Sequence, residues 1–171
     1  MALATAGAAA AALAVIVLVN TLAPATSSSG VGAVGQSAAF TTTRLGSTHL
    51  LSLETFRGKP VVVTFLASWC GPCRTELPVV EQAAQQARGK VAFLGIDVSD
   101  NPSAAQSLLM RSGITFPVGT DPSRHISADI FNLYGMPSTV FVDAGGRVVG
   151  EITGPVTPSG LTRWLQRLSG I

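Results

Sequence analysis

After residue 40 the chain shows two hydrophobic patterns, one typical of buried strands and the other typical of helices. Residues 61–66 and 91–98 are nearly continuous apolar, β-branched runs, which are typical of strands buried on both faces. In 71–87 the apolar positions recur at helical spacing, and Pro78 is expected to kink this helix or end its first turn. The predicted strands are 40–43, 48–53, 61–66, 91–98, 115–120, 138–142 and 147–152, and the predicted helices are 71–87, 102–112, 123–134 and 158–168.

The order of these elements predicts an α/β fold, a three-layer sandwich with a mixed central sheet. Strands alternate with helices as far as Tyr134, which favours parallel strands joined by helical crossovers. The Asp-Ala-Gly-Gly sequence at 143–146 is a hairpin signal, so we expect the last two strands to be antiparallel. In the predicted helix 123–134, the side chains expected to face the core are Ile126, Ile130, Leu133 and Tyr134.

The N-terminal segment differs in composition from the rest. Residues 2–19 are almost all Ala, Leu, Val and Ile, and as a helix they would span roughly 27 Å, at the short end of what crosses a bilayer. Ala23-Pro24-Ala25 fits a signal-peptide cleavage site, although no Lys or Arg precedes the apolar run. We therefore predict a signal peptide or N-terminal membrane anchor at 1–25, a flexible linker at 26–39 and a globular domain at 40–171.

Charge narrows the possible functions. The chain is 47% hydrophobic and 12% charged, with a formal net charge of +2. Its charges are interspersed, so the sequence predicts no nucleic-acid partner, and the apolar content after residue 40 excludes intrinsic disorder. The N-terminal segment predicts an exported, periplasmic or otherwise extracytoplasmic protein, either membrane-anchored or secreted. If the N-terminal segment is not cleaved, we expect it to contact the membrane.

The two cysteines form a Cys-x-x-Cys pair in the sequence Trp69-Cys70-Gly71-Pro72-Cys73, between a predicted strand and a predicted helix. This spacing across a helix start brings the two sulfurs within bonding distance. Free N–H groups and the helix dipole favour a thiolate on Cys70. Pro72 fits the first helical turn, where its missing N–H costs nothing. Cys73 is expected to be more buried and to attack a mixed disulfide formed by Cys70.

Other interpretations of the cysteines remain open. A structural disulfide closing so short a loop would remove little chain entropy. A zinc site would need two further ligands, and His49 and His125 are isolated in the sequence. Two inert core cysteines are the third alternative. The redox interpretation explains the whole Trp-Cys-Gly-Pro-Cys pattern, and it predicts neither a metal nor another cofactor.

The residues around the cysteines resemble a known family. The stretch 59–78, Lys-Pro-Val-Val-Val-Thr-Phe-Leu-Ala-Ser-Trp-Cys-Gly-Pro-Cys-Arg-Thr-Glu-Leu-Pro, resembles the thioredoxin-like TlpA/ResA group of exported thiol–disulfide oxidoreductases, in the redoxin superfamily. The resemblance extends from about Phe40 to Leu168. It implies a thioredoxin fold with an extra strand–helix insert, and a role in keeping extracytoplasmic thiols reduced, as in cytochrome c maturation.

The resemblance also implies roles for single residues. Met136-Pro137 is similar to the family's cis-proline loop, which would position the substrate strand beside the cysteines. Asp100 is similar in position to an active-site acid of the family and is a possible acid or base, with a simple helix cap as the alternative. Asp97 is a weaker candidate. Thr64 occupies the position where thioredoxin has a buried Asp, so that base is absent here.

Four further side chains have simpler interpretations. His49, in a predicted edge strand, and His125, near a predicted helix start, are expected to be solvated surface residues. Trp164 is expected to belong to the core on the last helix. Trp69 is expected to cover the disulfide and to present an exposed ring to partners.

These observations predict a protein-disulfide reductase that cycles between the Cys70/Cys73 dithiol and disulfide. The Gly-Pro dipeptide between the cysteines is that of thioredoxin, a reductant with a reduction potential of about −270 mV. The oxidant DsbA has a reduction potential of about −120 mV. Disulfide-containing proteins would be the substrates, and a membrane electron donor would recharge the site. A thioredoxin-fold peroxidase and a copper-delivery protein of the Sco kind are the alternatives.

Overall fold

The computed structural model describes residues 33–170. Its centre is a five-stranded sheet, and a separate two-stranded antiparallel sheet of β1 and β2 lies N-terminal to it in the chain. The strands are β1 (Thr41–Thr43), β2 (Leu50–Ser52), β3 (Val61–Leu66), β4 (Ala92–Val98), β5 (Val118–Asp121), β6 (Ser138–Val142) and β7 (Val148–Thr153). The helices are α1 (Gly71–Gln86), α2 (Pro102–Arg111) and α3 (Pro158–Ser169).

The central sheet has the order β5-β4-β3-β6-β7 and is mixed. β3 pairs with β4 in parallel and with β6 antiparallel, and every residue of β3 is buried. The predicted continuous apolar run is therefore the middle strand. α2 and β5 together add the outer parallel strand beside β4, as expected for the strand–helix insert.

Helices cover one face of the sheet. Val62 on β3 and Phe141 on β6 belong to a buried cluster with Val80 of α1 and Leu161 of α3. Trp164 of α3 stacks on Phe141 with ring centroids 4.3 Å apart, as the core prediction required. The opposite face buries a second cluster, which includes Phe40, Phe65, Ile96, Phe131 and Val140. The three-layer prediction is confirmed.

Most predicted boundaries hold to within a few residues, and the differences have local causes. α1 continues through Pro78, so the prediction of an early end at that residue is wrong. β2 begins at Leu50 rather than at 48, because residues 47–49 form a bend. It ends at Ser52 rather than at 53, because Ser52 caps a 3₁₀ turn and accepts a hydrogen bond from the Glu54 N–H. β5 begins at Val118 rather than at 115, so 115–117 lie outside the strand. His49 lies in the turn between β1 and β2 rather than in a strand.

The predicted helix 123–134 is wrong in extent. Only a π-helical turn forms, His125–Ile130, and Asn132 adopts a left-handed conformation with φ 54° that a continuous helix cannot contain. Ile126 and Leu133 are buried and Ile130 is half-buried, as expected. Tyr134, which was expected to face the core, is instead 85% exposed, because the chain leaves the helix before reaching it.

The described chain begins before Phe40. Ala33 and Ala38 are buried in the core cluster, and Ser37 forms an antiparallel bridge with Arg147. Residues 33–39 of the predicted linker therefore pack on the domain. The predicted signal peptide or anchor, 1–25, and residues 26–32 lie outside the described residues. Within 33–170 no helix is both long and apolar enough to span a bilayer.

Candidate active site

The two cysteines meet where β3 leads into α1. Cys70 is the N-cap of α1, and its Sγ accepts a hydrogen bond of 3.2 Å from the Cys73 N–H. The two residues form a disulfide, with their Cα atoms 5.3 Å apart. Pro72 lies in the first turn, where no N–H is needed. The strand–helix junction therefore holds the sulfur of Cys70 against the Cys73 N–H in the first turn of the helix.

Burial differs between the two cysteines in the predicted direction. Cys73 is fully buried and Cys70 is 4% exposed. Both belong to a small apolar cluster with Ala67, against which Met136 packs. The Met136–Pro137 peptide bond is cis, as the resemblance implied. The structure thus brings the cysteine pair and the Met136-Pro137 loop together, although Met136 lies 63 positions after Cys73 in the sequence.

Trp69 lies at the surface beside the disulfide. Trp69 is 57% exposed to solvent. Its Nε1–H donates a hydrogen bond of 3.2 Å to the Ser99 carbonyl oxygen. Trp69 and Met136 both line a cleft of about 480 Å³. The ring is held in place and remains accessible to a partner.

Asp100 holds the loop that precedes Cys70. Its carboxylate accepts hydrogen bonds from the Ser68 N–H, from the Ser68 hydroxyl at 2.7 Å and from the Asn101 N–H at 2.7 Å. Burial by itself raises the pKa of Asp100. The hydrogen bonds from Ser68 and Asn101 outweigh burial and hold this pKa below its ordinary value. The alternative role considered for Asp100, a simple helix cap, is filled by its neighbour Asn101, whose side chain caps α2.

Asp97 is the buried neighbour of Asp100. Burial, together with the negative charge and hydrogen bond of Asp100, raises the pKa of Asp97 to about 7. Its Oδ1 atom is buried and has no hydrogen-bond partner among the described residues. The group that sequence reasoning ranked second is therefore the one of the two that titrates near neutral pH.

Glu76 is a candidate that sequence reasoning missed. It lies on α1 three residues after Cys73, and both side chains are buried. Its Oε2 accepts a hydrogen bond of 2.8 Å from the Val156 N–H. Burial raises the pKa of Glu76 to about 7, against the lowering effect of that hydrogen bond. The signal was in the sequence, because Glu76 lies at helical spacing on the same side of α1 as Cys73, Leu77 and Val80.

The buried polar groups share one face of the sheet. Thr64 pairs with Thr139 across β3 and β6, and Leu66, on the same side of β3, pairs with Asp97. The hydroxyls of Thr64 and Thr139 are buried without a hydrogen-bond partner in the described chain. The helix-covered face therefore carries a hydroxyl at Thr64, the position where the sequence predicts that the buried Asp of thioredoxin is missing, and its nearby buried carboxyl is Asp97.

The histidines lie away from this arrangement. His49 and His125 are both exposed, as predicted. His125 Nδ1 lies 2.9 Å from the Asp129 carboxylate. Within residues 33–170 no group of three or more His, Cys, Asp or Glu side chains is placed to hold a metal ion.

The sheet order, the vicinal cysteines at a helix N-terminus and the facing cis-proline define a thioredoxin-fold protein with a thiol–disulfide exchange site. The family model described as Redoxin matches residues 19–164. The chain belongs to the Redoxin family.

Individual relatives agree with this assignment. The chain is 34% identical over 112 residues to the thiol:disulfide interchange protein HelX of Rhodobacter capsulatus, a match covering 65% of the chain and 61% of HelX, less than two thirds of that relative. It is 27% identical to the thiol–disulfide oxidoreductase ResA of Bacillus thuringiensis subsp. konkukian, covering 70% of the chain and 69% of ResA.

A solved structure shows the same fold. It is that of a secreted Mycobacterium tuberculosis disulfide oxidoreductase homologous to E. coli DsbE. The two chains are 27% identical, with a TM-score of 0.68, and the match covers 75% of this chain and 96% of the other.

Proposed function

We propose that the protein is an extracytoplasmic thiol–disulfide oxidoreductase that reduces disulfides in partner proteins. The observation that carries this proposal is the Cys70–Cys73 disulfide at the N-terminus of α1, with the Cys73 N–H donating to Cys70 Sγ. After reduction, the same N–H and the helix dipole stabilise a thiolate on Cys70.

The reaction proceeds by two exchanges. The Cys70 thiolate attacks one sulfur of a substrate disulfide, forming a Cys70–substrate bond and releasing the other substrate sulfur as a thiolate. Cys73 then loses its proton and attacks Cys70, which releases the second substrate thiolate. Two electrons pass to the substrate, which ends as a dithiol, and the enzyme ends as the Cys70–Cys73 disulfide.

Two buried carboxyls suit the proton transfers. Glu76 lies on the helix of Cys73, and Asp97 pairs with Leu66 at the end of β3. Burial raises the pKa of each to about 7. Such a group can exchange protons near neutral pH. Asp100, whose hydrogen bonds favour its anion, positions the loop before Cys70 and is less suited to proton transfer.

Substrate would lie across the Met136-Pro137 loop. The loop packs at the cysteines and Trp69 presents an exposed ring next to them. Backbone groups beside the cis-proline would pair with an extended substrate segment. Apocytochrome thiols awaiting haem attachment are the substrate class implied by the resemblance to the TlpA/ResA group.

The cysteine motif supports the proposed direction of the reaction, and the N-terminal segment supports the proposed location. A Gly-Pro dipeptide between the cysteines favours a reductant, by analogy with thioredoxin. The apolar segment 2–19 supports export, with the segment acting as a signal peptide or as an anchor. In an oxidising compartment the disulfide must be reduced again, which requires a membrane electron donor.

Substitution of the cysteines tests the cycle. Cys70→Ser removes the nucleophile, so turnover with a protein disulfide should be abolished. Cys73→Ser leaves the nucleophile without a resolving thiol, and partners should accumulate as mixed disulfides on Cys70, visible on non-reducing gels and released by dithiothreitol. Full reductase activity in Cys70→Ser would refute the proposal.

A further inference from the structure

The cleft beside the disulfide carries two exposed aromatic rings. Trp69 is 57% exposed and Tyr134 is 85% exposed, and both line the cleft, as do Met136 and Leu133. We refer to it as the Trp69–Tyr134 cleft. Large apolar side chains exposed together are typical of a surface that binds a partner.

The backbone around this cleft adopts unfavourable conformations. In the described chain, the residues other than glycine with positive φ are Ser99 (47°), Arg124 (64°) and Asn132 (54°). Ser99 and Arg124 line the cleft, and Asn132 Oδ1 accepts a hydrogen bond of 2.7 Å from the Tyr134 hydroxyl. Left-handed residues that carry a Cβ are disfavoured and persist where surrounding contacts impose them. All three therefore shape the same surface.

Hydrogen bonds hold the backbone of Arg124 at the cleft. Its N–H donates to the Asp121 carbonyl oxygen at 3.2 Å, and its own carbonyl oxygen accepts the Ala128 N–H at 2.8 Å. The buried Asp121 carboxylate accepts the N–H groups of Ile126 and Ser127 at 3.1 and 2.8 Å. Arg124 is therefore presented by a segment that is itself tied down.

The charge at the cleft comes from Arg124, which is exposed and is the one residue with a charged side chain among those lining the cleft. Within residues 33–170, no carboxylate lies within ion-pair distance of Arg124, and nearby Asp129 pairs with His125. A carboxylate brought by a partner would complement this charge.

Building on the function proposed above, we propose that the Trp69–Tyr134 cleft selects its substrate proteins. The selected segments would carry an acidic side chain and a large apolar side chain close to the reactive cysteine. The carboxylate would contact Arg124, and the apolar side chain would pack against Trp69 and Tyr134. The occupant is an extended segment of a substrate protein, and Arg124 is the residue that determines its charge preference.

A peptide series tests this preference. Short peptides with one cysteine, blocked as a mixed disulfide with mercaptoethanol, would carry Phe beside the cysteine and Glu, Gln or Lys at each position up to three residues away. The measured quantity is the second-order rate constant for reduction by the dithiol form. At low salt, the best Glu peptide should react about threefold to fivefold faster than its Lys counterpart. The difference should shrink in 0.5 M NaCl.

Two substitutions at Arg124 separate charge from folding. Arg124→Gly removes the cation and suits the left-handed backbone, so the protein should fold at least as stably while Glu, Gln and Lys peptides react alike. Arg124→Glu should reverse the preference. Arg163→Glu is the control for Arg124→Glu. It makes the same change in net charge at an exposed position of α3 that does not line the cleft.

The outcomes distinguish this inference from the proposed function. Rates with Glu, Gln and Lys peptides that agree within about twofold would overturn the inference, as would an equal effect of Arg163→Glu. Hydroxyethyl disulfide, which is small and uncharged, should be reduced by Arg163→Glu at the rate of the unaltered protein. Failure of the unaltered protein to reduce any disulfide would instead refute the proposed function.

Discussion

At the scale of single residues, the buried Glu76 carboxyl makes stability depend on pH. Burial raises its pKa in the folded protein to about 7 from an ordinary 4.5. The folded state therefore binds the proton more tightly than the unfolded state does. The resulting stabilisation is fully present below pH 4.5 and is lost as the pH rises through about 7.

Glu76→Gln should remove this dependence. The amide oxygen can still accept the Val156 N–H, but no charge is buried at high pH. Between pH 5 and pH 8 the free energy of unfolding of the unaltered protein should fall by up to about 3 kcal/mol more than that of the variant. Urea titrations followed by tryptophan fluorescence measure this difference.

Glu54→Gln is the matched control for this experiment. Glu54 is an exposed carboxyl whose pKa is lowered by its hydrogen bond to Arg57, so it titrates below the window tested. Its pH profile between 5 and 8 should follow that of the unaltered protein. If the stability of Glu76→Gln depends on pH between 5 and 8 as that of the unaltered protein does, the Glu76 carboxyl is charged throughout this range in the folded protein.

At the scale of elements, the start of α1 depends on a loop held by the start of α2. Asp100 accepts the Ser68 N–H and hydroxyl, whereas its neighbour Asn101 caps α2 by accepting the Ser103 and Ala104 N–H groups at 3.0 and 3.2 Å. Adjacent residues thus do different work. Asp100 positions the active-site loop, and Asn101 caps the N-terminus of α2.

Asp100→Ala should therefore affect catalysis as well as stability. Loss of its hydrogen bonds to Ser68 should cost about 1–3 kcal/mol. The displaced Cys70 loop should lower kcat/KM for a peptide disulfide by about tenfold. Asn101→Ala should cost about 1 kcal/mol through the lost cap and leave kcat/KM unchanged. Equal effects of the two substitutions on kcat/KM would mean that Asp100 does not position the loop.

At the scale of the whole molecule, the last helix closes the core through a close approach to β7. Gly150 of β7 lies directly under the Trp164 ring, and a Cβ at that position would overlap the ring. The ring in turn stacks on Phe141. A side chain at residue 150 is therefore incompatible with the observed packing of α3 on the sheet.

Gly150→Ala should destabilise the protein by about 1–3 kcal/mol, because the Trp164 ring must move. The same substitution in a Trp164→Leu background should cost much less, and thermal unfolding of the four proteins in this double-mutant cycle measures the coupling. Disulfide reductase activity should be unchanged below the melting temperature, since neither residue lines the cysteine site. Additive losses would show that ring and strand do not meet.

How much of this could be predicted differs between elements. The strands and helices around the cysteines were predicted almost to the residue, because their hydrophobic periodicity, turn glycines and caps are local signals. The segment 123–134 misled the prediction. Its apolar spacing is helical, but the buried Asp121 carboxylate and the left-handed Asn132 limit it to one π-helical turn.

The residues of the active site also differ in how far the sequence could predict them. Cys70 and Cys73 were predicted from a short motif, because a Cys-x-x-Cys pair at a helix start carries its chemistry within a few residues. The cis-proline at Pro137 was implied by the resemblance to the TlpA/ResA group. Glu76 was missed, and Asp100 was ranked above Asp97. The pKa of a carboxyl depends on its burial and neighbours, which are properties of the packed molecule.

The sequence alone therefore determined the alternation of strands and helices and the vicinal cysteines at the start of a helix, because these follow from residue type and spacing. Only the tertiary structure decided which carboxyls are buried, and that Ser99, Arg124 and Tyr134 line one cleft. Those properties depend on desolvation and on contacts between residues far apart in the chain, which no local pattern records.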